Sequence, residues 1–237
     1  MSTDIITKVQ STHVLNISMF GIWATIWTTY ILAVLTGAVP PPFSTGSFQW
    51  PMISDTWAVV PGNYISRFCM PPFIMMWALF CWSVSDWLDT VCWNQRYFMK
   101  LQNKAMRYLI QVGCIGFLAC VAVGEDEYDP IHSTGALTFF VSQGLFCSNI
   151  VLQMGIHPHT AHNATSFIFK LFINILYWCV LILFAILARD LQRNAIAIAV
   201  CEWVAVWMVT MFHWSLRWEL KNTISFAICK QSTYLTL

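Results

Sequence analysis

The residues able to do chemistry in this chain are few and far apart. Arg67, His132 and Glu202 each sit near the same end of a long apolar stretch, and the acidic run Glu125-Asp126-Glu127-Tyr128-Asp129 comes just before His132. A guanidinium beside carboxylates and an imidazole is suited to holding a phosphate and moving a proton. His132 would act as the general base, a carboxylate from Glu202 or Glu127 would orient it, and Arg67 would grip the anion. A second polar position, His213, follows Glu202 by eleven residues. At helical pitch that spacing returns to within about 20° of the same face, roughly 16 Å along the axis. Each of these groups also has a structural alternative, because polar side chains satisfied by neighbours hold membrane helices together.

The elements that must position these groups follow from composition. Of 237 residues, 58% are hydrophobic and only 10% are charged, and the formal net charge is +1. So few charges cannot coat a water-facing surface, where roughly 25% is usual. An ordinary soluble enzyme, a disordered regulator and a nucleic-acid reader are excluded, the last also by the near-zero net charge. An integral membrane protein remains. A spanning helix needs about 20 mostly apolar residues. Six stretches qualify, at approximately 14–38, 64–88, 105–124, 132–155, 165–188 and 195–216. The expected fold class is all-α: one six-transmembrane-helix bundle over residues 1–237. The first span reads as a retained anchor, since it is too long for a signal peptide and lacks a small-residue cleavage site.

Lys and Arg placement orients the bundle. Lys8, then Arg96, Lys100, Lys104 and Arg107 in the connection between the second and third spans, and Arg217, Lys221 and Lys230 in the tail fall on one side, against Arg67, Arg189 and Arg193 on the other, a bias of eight to three with Lys170 left out. The richer side is assigned to the cytosol, with both termini. The lumenal side then carries a proline-rich first loop, about 39–63, expected to be an ordered cap, and the acidic run expected as a loop over about 125–129. Pro71-Pro72 should kink the second span or unwind its first turn. The fourth span shows a polar stripe, His132, Gly135, Ser142, Asn149 and Gln153, which seals a bundle or lines a hydrophilic cavity. Asp86 and Asp89 read as a solvated boundary pair, and Lys170 as a side chain that snorkels to the cytosolic interface. The nine cysteines are scattered through apolar stretches without a CxxC pair. They read as small packers, so no metal, no disulfide and no cofactor is expected.

Several of these residues fall in recognisable patterns. Pro61-Gly62-Asn63-Tyr64-Ile65-Ser66-Arg67-Phe68 enters the second span, Glu127-Tyr128-Asp129-Pro130-Ile131-His132 the fourth, and Glu202-Trp203, Phe212-His213-Trp214 and Trp218-Glu219-Leu220 mark the last span, with Pro51-Met52-Ile53-Ser54 upstream. In this order they resemble the post-GPI-attachment-to-proteins factor 2-like branch of the FRAG–DRAM–SFK membrane-protein family, over nearly the whole chain. The resemblance implies a six-helix protein of Golgi or ER membranes that remodels the lipid of glycosylphosphatidylinositol (GPI) anchors by acyl-chain exchange or reacylation of a lyso-GPI. Other relatives are lysosomal or plasma-membrane proteins. Loop 1 lacks the cysteine expected in the GPI-remodelling branch, which keeps an accessory role open.

Two functions follow as expectations. In the first, the chain is a lipid acyltransferase or a required component of one, with His132, Glu202 and Glu127 as catalytic groups and Arg67 on the lipid phosphate. No GxSxG motif is present, so direct transfer is expected rather than a covalent intermediate. In the second, it is a non-catalytic membrane scaffold or accessory subunit that regulates a lipid kinase, a flippase or autophagy. Either way the partners are membrane lipids, GPI or phospholipid, and neighbouring membrane proteins, with no nucleic acid. Arg67, His132 and Glu202 are expected to share one cavity open to the lumenal leaflet.

Overall fold

A computed structural model describes residues 4–39, 51–91, 97–220 and 224–230. Seven α-helices are present among them: α1 Ser11–Leu35, α2 Ile53–Ala58, α3 Gly62–Val91, α4 Tyr97–Ala122, α5 Glu125–Ile156, α6 Ala164–Leu187 and α7 Leu191–Ser215. All but the six-residue α2 are long and apolar enough to cross a membrane, six spans in all. The six-helix bundle expected from composition is the fold.

A short antiparallel ribbon adds to it: β1 Asp4–Gln10 pairs with β2 Ile224–Lys230, Lys8 opposite Ala227. It ties the segments flanking α1 and α7 together at one end of the bundle, as an even number of spans requires. The opposite end carries α2.

Three boundaries differ from expectation. The third span begins at Tyr97, so Lys100, Lys104 and Arg107 lie inside α4 and not in a connection. Lys and Arg are good helix formers and can reach water from a helix end, so the charges do not stop the helix. The acidic run is not a loop either. It forms the opening turn of α5, after which Tyr128 is extended (φ −160°, ψ 85°) and Pro130 starts the long helix. Pro71 and Pro72 lie within α3, which stays helical from Gly62 without an unwound turn. They withhold two N–H groups from the carbonyls one turn back.

The polar stripe of α5 is a helix seam. His132, Ser142, Asn149 and Gln153 are all buried. Small residues let α4 and α5 touch backbone to backbone: a Cβ on Gly135 would lie 2.5 Å from the Gly116 carbonyl oxygen, and one on Gly113 would strike the Ser142 hydroxyl. Such close approach replaces hydrophobic driving force as the source of association in lipid. Leu137 and Leu145, on the other face of α5, are exposed. Cys81, Cys114 and Cys147 are buried packers, as expected.

Of loop 1, residues 40–50 lie outside the described segments. The rest is the expected cap: α2 buries Ile53, Thr56 and Trp57 in the bundle mouth. It sits so close to α3 that a Cβ on Gly62 would overlap the Thr56 carbonyl oxygen.

Candidate site beneath helix α2

Glu202 is the hub of the capped end. It projects from α7, and its Oε2 accepts the Ile53 backbone N–H at 2.7 Å, so a carboxylate holds the start of α2. The next residue, Trp203, donates its indole N–H to the Pro51 carbonyl at 3.0 Å. Met52 N–H donates to Asp55 Oδ2 at 2.8 Å, closing the first turn of α2 from within. Burial lifts the Asp55 carboxyl above its ordinary range, opposed by that N–H.

Below α2 is a cavity of about 30 Å³, lined by Glu202, Trp57, Cys120 and Trp77 among apolar side chains such as Ile26, Phe117, Phe139 and Val206. One water needs roughly 10–15 Å³ measured this way. The space therefore suits a group the size of a hydroxyl or two, and an acyl chain does not fit in it. On the outer face of α2 is a wider groove of about 850 Å³, lined by Asp55, Arg193 and Asn194 together with small apolar residues.

The expected convergence of Arg67, His132 and Glu202 is not the observed arrangement. Arg67 reaches Glu127, Nη2 to Oε2 at 2.5 Å, and both side chains remain partly exposed, 31% and 47%. Neither lines the Glu202 cavity. His132 is buried and turns toward α4, its Nδ1 lying 3.0 Å from the Cys120 carbonyl oxygen and 2.9 Å from that of Val123. Carbonyls only accept, so Nδ1 carries the proton. The imidazole thus satisfies carbonyls at the C-terminal end of α4, groups a helix leaves without internal partners. Its Nε2 faces Cys120 Sγ at 3.6 Å, and Cys120 lines the cavity, so the cysteine touches both the histidine and the space that Glu202 borders.

His213 does lie deeper along the α7 face, as the spacing predicts, and is fully buried. Its Nδ1 donates to the Val209 carbonyl at 2.8 Å, and aromatic rings surround it, Trp77 at 5.2 Å and Phe146 stacked at 6.2 Å between centroids. Trp77 contacts the imidazole and also lines the Glu202 cavity.

Two polar clusters at the ribbon end escaped the sequence reading. Lys170 does not snorkel. It is wholly buried, with Nζ 3.1 Å from Glu219 Oε1 and 2.6 Å from Ser166 Oγ. Glu219 Oε1 also accepts from Ser166 Oγ at 2.6 Å and from the His162 backbone N–H at 3.2 Å. The acid at the centre of the Trp218-Glu219-Leu220 motif was the available signal. Asp86 and Asp89 are not merely solvated: Arg107 of α4 binds them at 2.7 and 2.6 Å. Buried Asn103 extends that network from Asp89 to Asn149 of α5. Arg107, expected in a connection, is the basic residue that links α4 to α3 here.

A model of the Frag1/DRAM/Sfk1/Cwh43P N-terminal domain matches residues 11–223, from the first residue of α1 to just before β2. The chain belongs to this family. Comparison with curated proteins gives no match, and neither does comparison with solved structures. Every helix of this Frag1-family bundle, the cavity beneath α2 and both ribbon-end clusters fall inside the matched span.

Proposed function

We propose that this Frag1-family protein takes part in remodelling the lipid of GPI anchors, by acyl-chain exchange or reacylation of a lyso-GPI, in Golgi or ER membranes. The sequence motifs that resemble the GPI-remodelling branch motivate the reading. The observation that carries it is Glu202, a carboxylate bordering a hydroxyl-sized, largely apolar space at the end of the bundle assigned to the lumen. There it would accept the proton of a lyso-GPI glycerol hydroxyl while that oxygen attacks, at the cavity mouth, the carbonyl of an acyl ester or thioester donor. The new ester forms as the donor's acyl bond breaks, and the released alcohol or thiol takes the proton back from Glu202. Arg67 exchanges Glu127 for a lipid phosphate, and Arg193 in the outer groove is a second cation for the headgroup. His132 positions the turn between α4 and α5 in this scheme, because its Nδ1 proton is already given to α4.

A scaffold or accessory role is the second reading. It is favoured by the use of His132 and Lys170 in helix contacts. Mass spectrometry of GPI-anchor lipids from cells lacking the protein separates the two. A changed chain composition, restored by the wild type, is expected; an unchanged composition would transfer the weight to the scaffold.

A further inference from the structure

The cavity beneath α2 has a donor as well as an acceptor. Trp57 lines it, is 6% exposed, and its indole Nε1–H has no hydrogen-bond partner among the described residues. A buried N–H without an acceptor is costly, and such groups call for an occupant. Glu202, which lines the cavity from α7, is a carboxylate that accepts only; its Oε2 takes the Ile53 N–H, and a carboxylate has lone pairs for further donors. A group satisfying both must offer one lone pair to Trp57 and one proton to Glu202. A hydroxyl does this with a single oxygen. Trp77 brings a second buried indole N–H, unpartnered among the described residues, to the cavity, and a hydroxyl oxygen has a second lone pair for it. Apart from the Cys120 thiol the remaining walls are apolar, so the hydroxyl should be carried on a lipid.

The way in is also marked. Among the lining residues, Ala136 and Phe140 of α5 and Glu202 and Val206 of α7 are half-buried, whereas Ile53, Trp57, Trp77 and Phe139 are buried. The space therefore thins outward between α5 and α7. Helix α6 is the element that should seal that seam. Its buried residues are Ser166, Lys170, Ile173, Asn174 and Tyr177, which run from the ribbon end to just past its middle. Beyond Tyr177 no residue of α6 is fully buried: Val180 and Leu181 are half-buried against the core, and Ile182, Leu183 and Ile186 are exposed. Lys170 on Glu219 fastens α6 at the ribbon end, Tyr177 on the Phe140 carbonyl holds it at mid-height and Asn194 on the Leu187 carbonyl ties its far end to α7, so the half beside α2 is attached but more lightly packed.

We propose that the socket formed by Trp57 and Glu202 receives the free hydroxyl of a membrane lipid, which enters sideways from the bilayer between α5 and α7 past the loosely packed half of α6. Trp57 is then a specificity residue: it tells a lipid with a free hydroxyl from one whose oxygen is esterified, because an ester has no proton for Glu202. This deepens, and rests on, the lipid-remodelling reading, but it concerns recognition and is tested by binding alone. Water has the same hydrogen-bonding chemistry, and the experiment must tell the two sources apart.

The test uses the full chain in nanodiscs with lysophosphatidylcholine, whose one free hydroxyl is on glycerol, carrying a photoreactive group in its acyl chain, and diacyl phosphatidylcholine, which has no hydroxyl, with the same group as competitor probe. The wild type is expected to be labelled several-fold more strongly by the lyso-lipid, with adducts on α5, α6 or α7. Trp57→Phe keeps the ring against Phe117 but removes the N–H, and should lower lyso-lipid labelling about fivefold, the effect of one hydrogen bond. Ala136→Phe fills the seam from α5 and should lower labelling without touching either polar group. Equal labelling of the two lipids overturns the proposal and leaves the socket to water. Unchanged labelling in both variants overturns it as well. Selective labelling that depends on Trp57 sustains the socket even if GPI lipids prove unchanged in cells lacking the protein, in which case only the remodelling reading fails.

Discussion

Removing one member of the buried pair between Lys170 and Glu219 should cost far more than removing both. The side chains are 0% and 1% exposed, so solvent does not screen their attraction. Glu219 Oε1 takes donors from Lys170, Ser166 and the His162 backbone. Glu219→Ala would strand the ammonium against the Ser166 hydroxyl and the Ser215 carbonyl, under the Trp218 ring 5.3 Å away. Breaking a buried pair from one side typically costs about 3–5 kcal/mol, while replacing both partners with apolar residues is often near neutral. For a chain of this size each kcal/mol moves Tm by roughly 2–4 °C, so Glu219→Ala and Lys170→Met should each lower Tm by about 6–20 °C. The double variant Lys170→Met, Glu219→Leu should recover most of that loss. It leaves only the Ser166 hydroxyl and the His162 N–H to find new acceptors, at about 1–2 kcal/mol. The protein carries its own reporter, because Cys81, Cys114 and Cys147 are at most 4% exposed. A thiol-reactive dye that fluoresces on coupling therefore reads unfolding in detergent. A single variant melting within about 3 °C of wild type, or a double variant whose loss equals the sum of the singles, would refute a coupled buried pair.

Gly135→Ala should lower stability by about 1–3 kcal/mol in the same assay, because its Cβ would sit 2.5 Å from the Gly116 carbonyl oxygen and force α4 and α5 apart; an unshifted melt would mean the seam is looser than described. Glu202→Gln can still accept the Ile53 N–H, so it should accumulate normally yet fail to restore GPI-lipid composition; full rescue would remove Glu202 from the chemistry. His132→Ala frees α4 carbonyls and should reduce protein levels, in contrast to Glu202→Gln; normal levels with lost rescue would return His132 to a catalytic role. Tags on the N- and C-termini should show the same protease protection in sealed vesicles, as the pairing of β1 with β2 requires; protection of one tag alone would overturn the even span count.

The sequence alone determined that this chain is a bundle of six spanning helices. A bilayer core accepts only apolar stretches of sufficient length, and that demand is written locally, residue by residue. For the same reason the stripe from His132 to Gln153 is legible as one face of a helix, since 3.6-residue periodicity needs no partner to be seen. What the face meets is not local, and there the tertiary structure decided. His132 reads like a base in line with Arg67 and Glu202, but its partners are carbonyls at the end of α4, 9 and 12 residues back, reached only after the chain turns. Lys170 near a helix end satisfies snorkelling as well as burial; rotation of α6 against α7 chose Glu219, 49 residues away. Helix α2 is too short to announce itself by periodicity, and a carboxylate 149 residues distant holds its first turn. The polar residues were recognisable because a membrane makes them costly. Their partners came from helix rotation and packing, through close contacts that no single stretch of sequence contains.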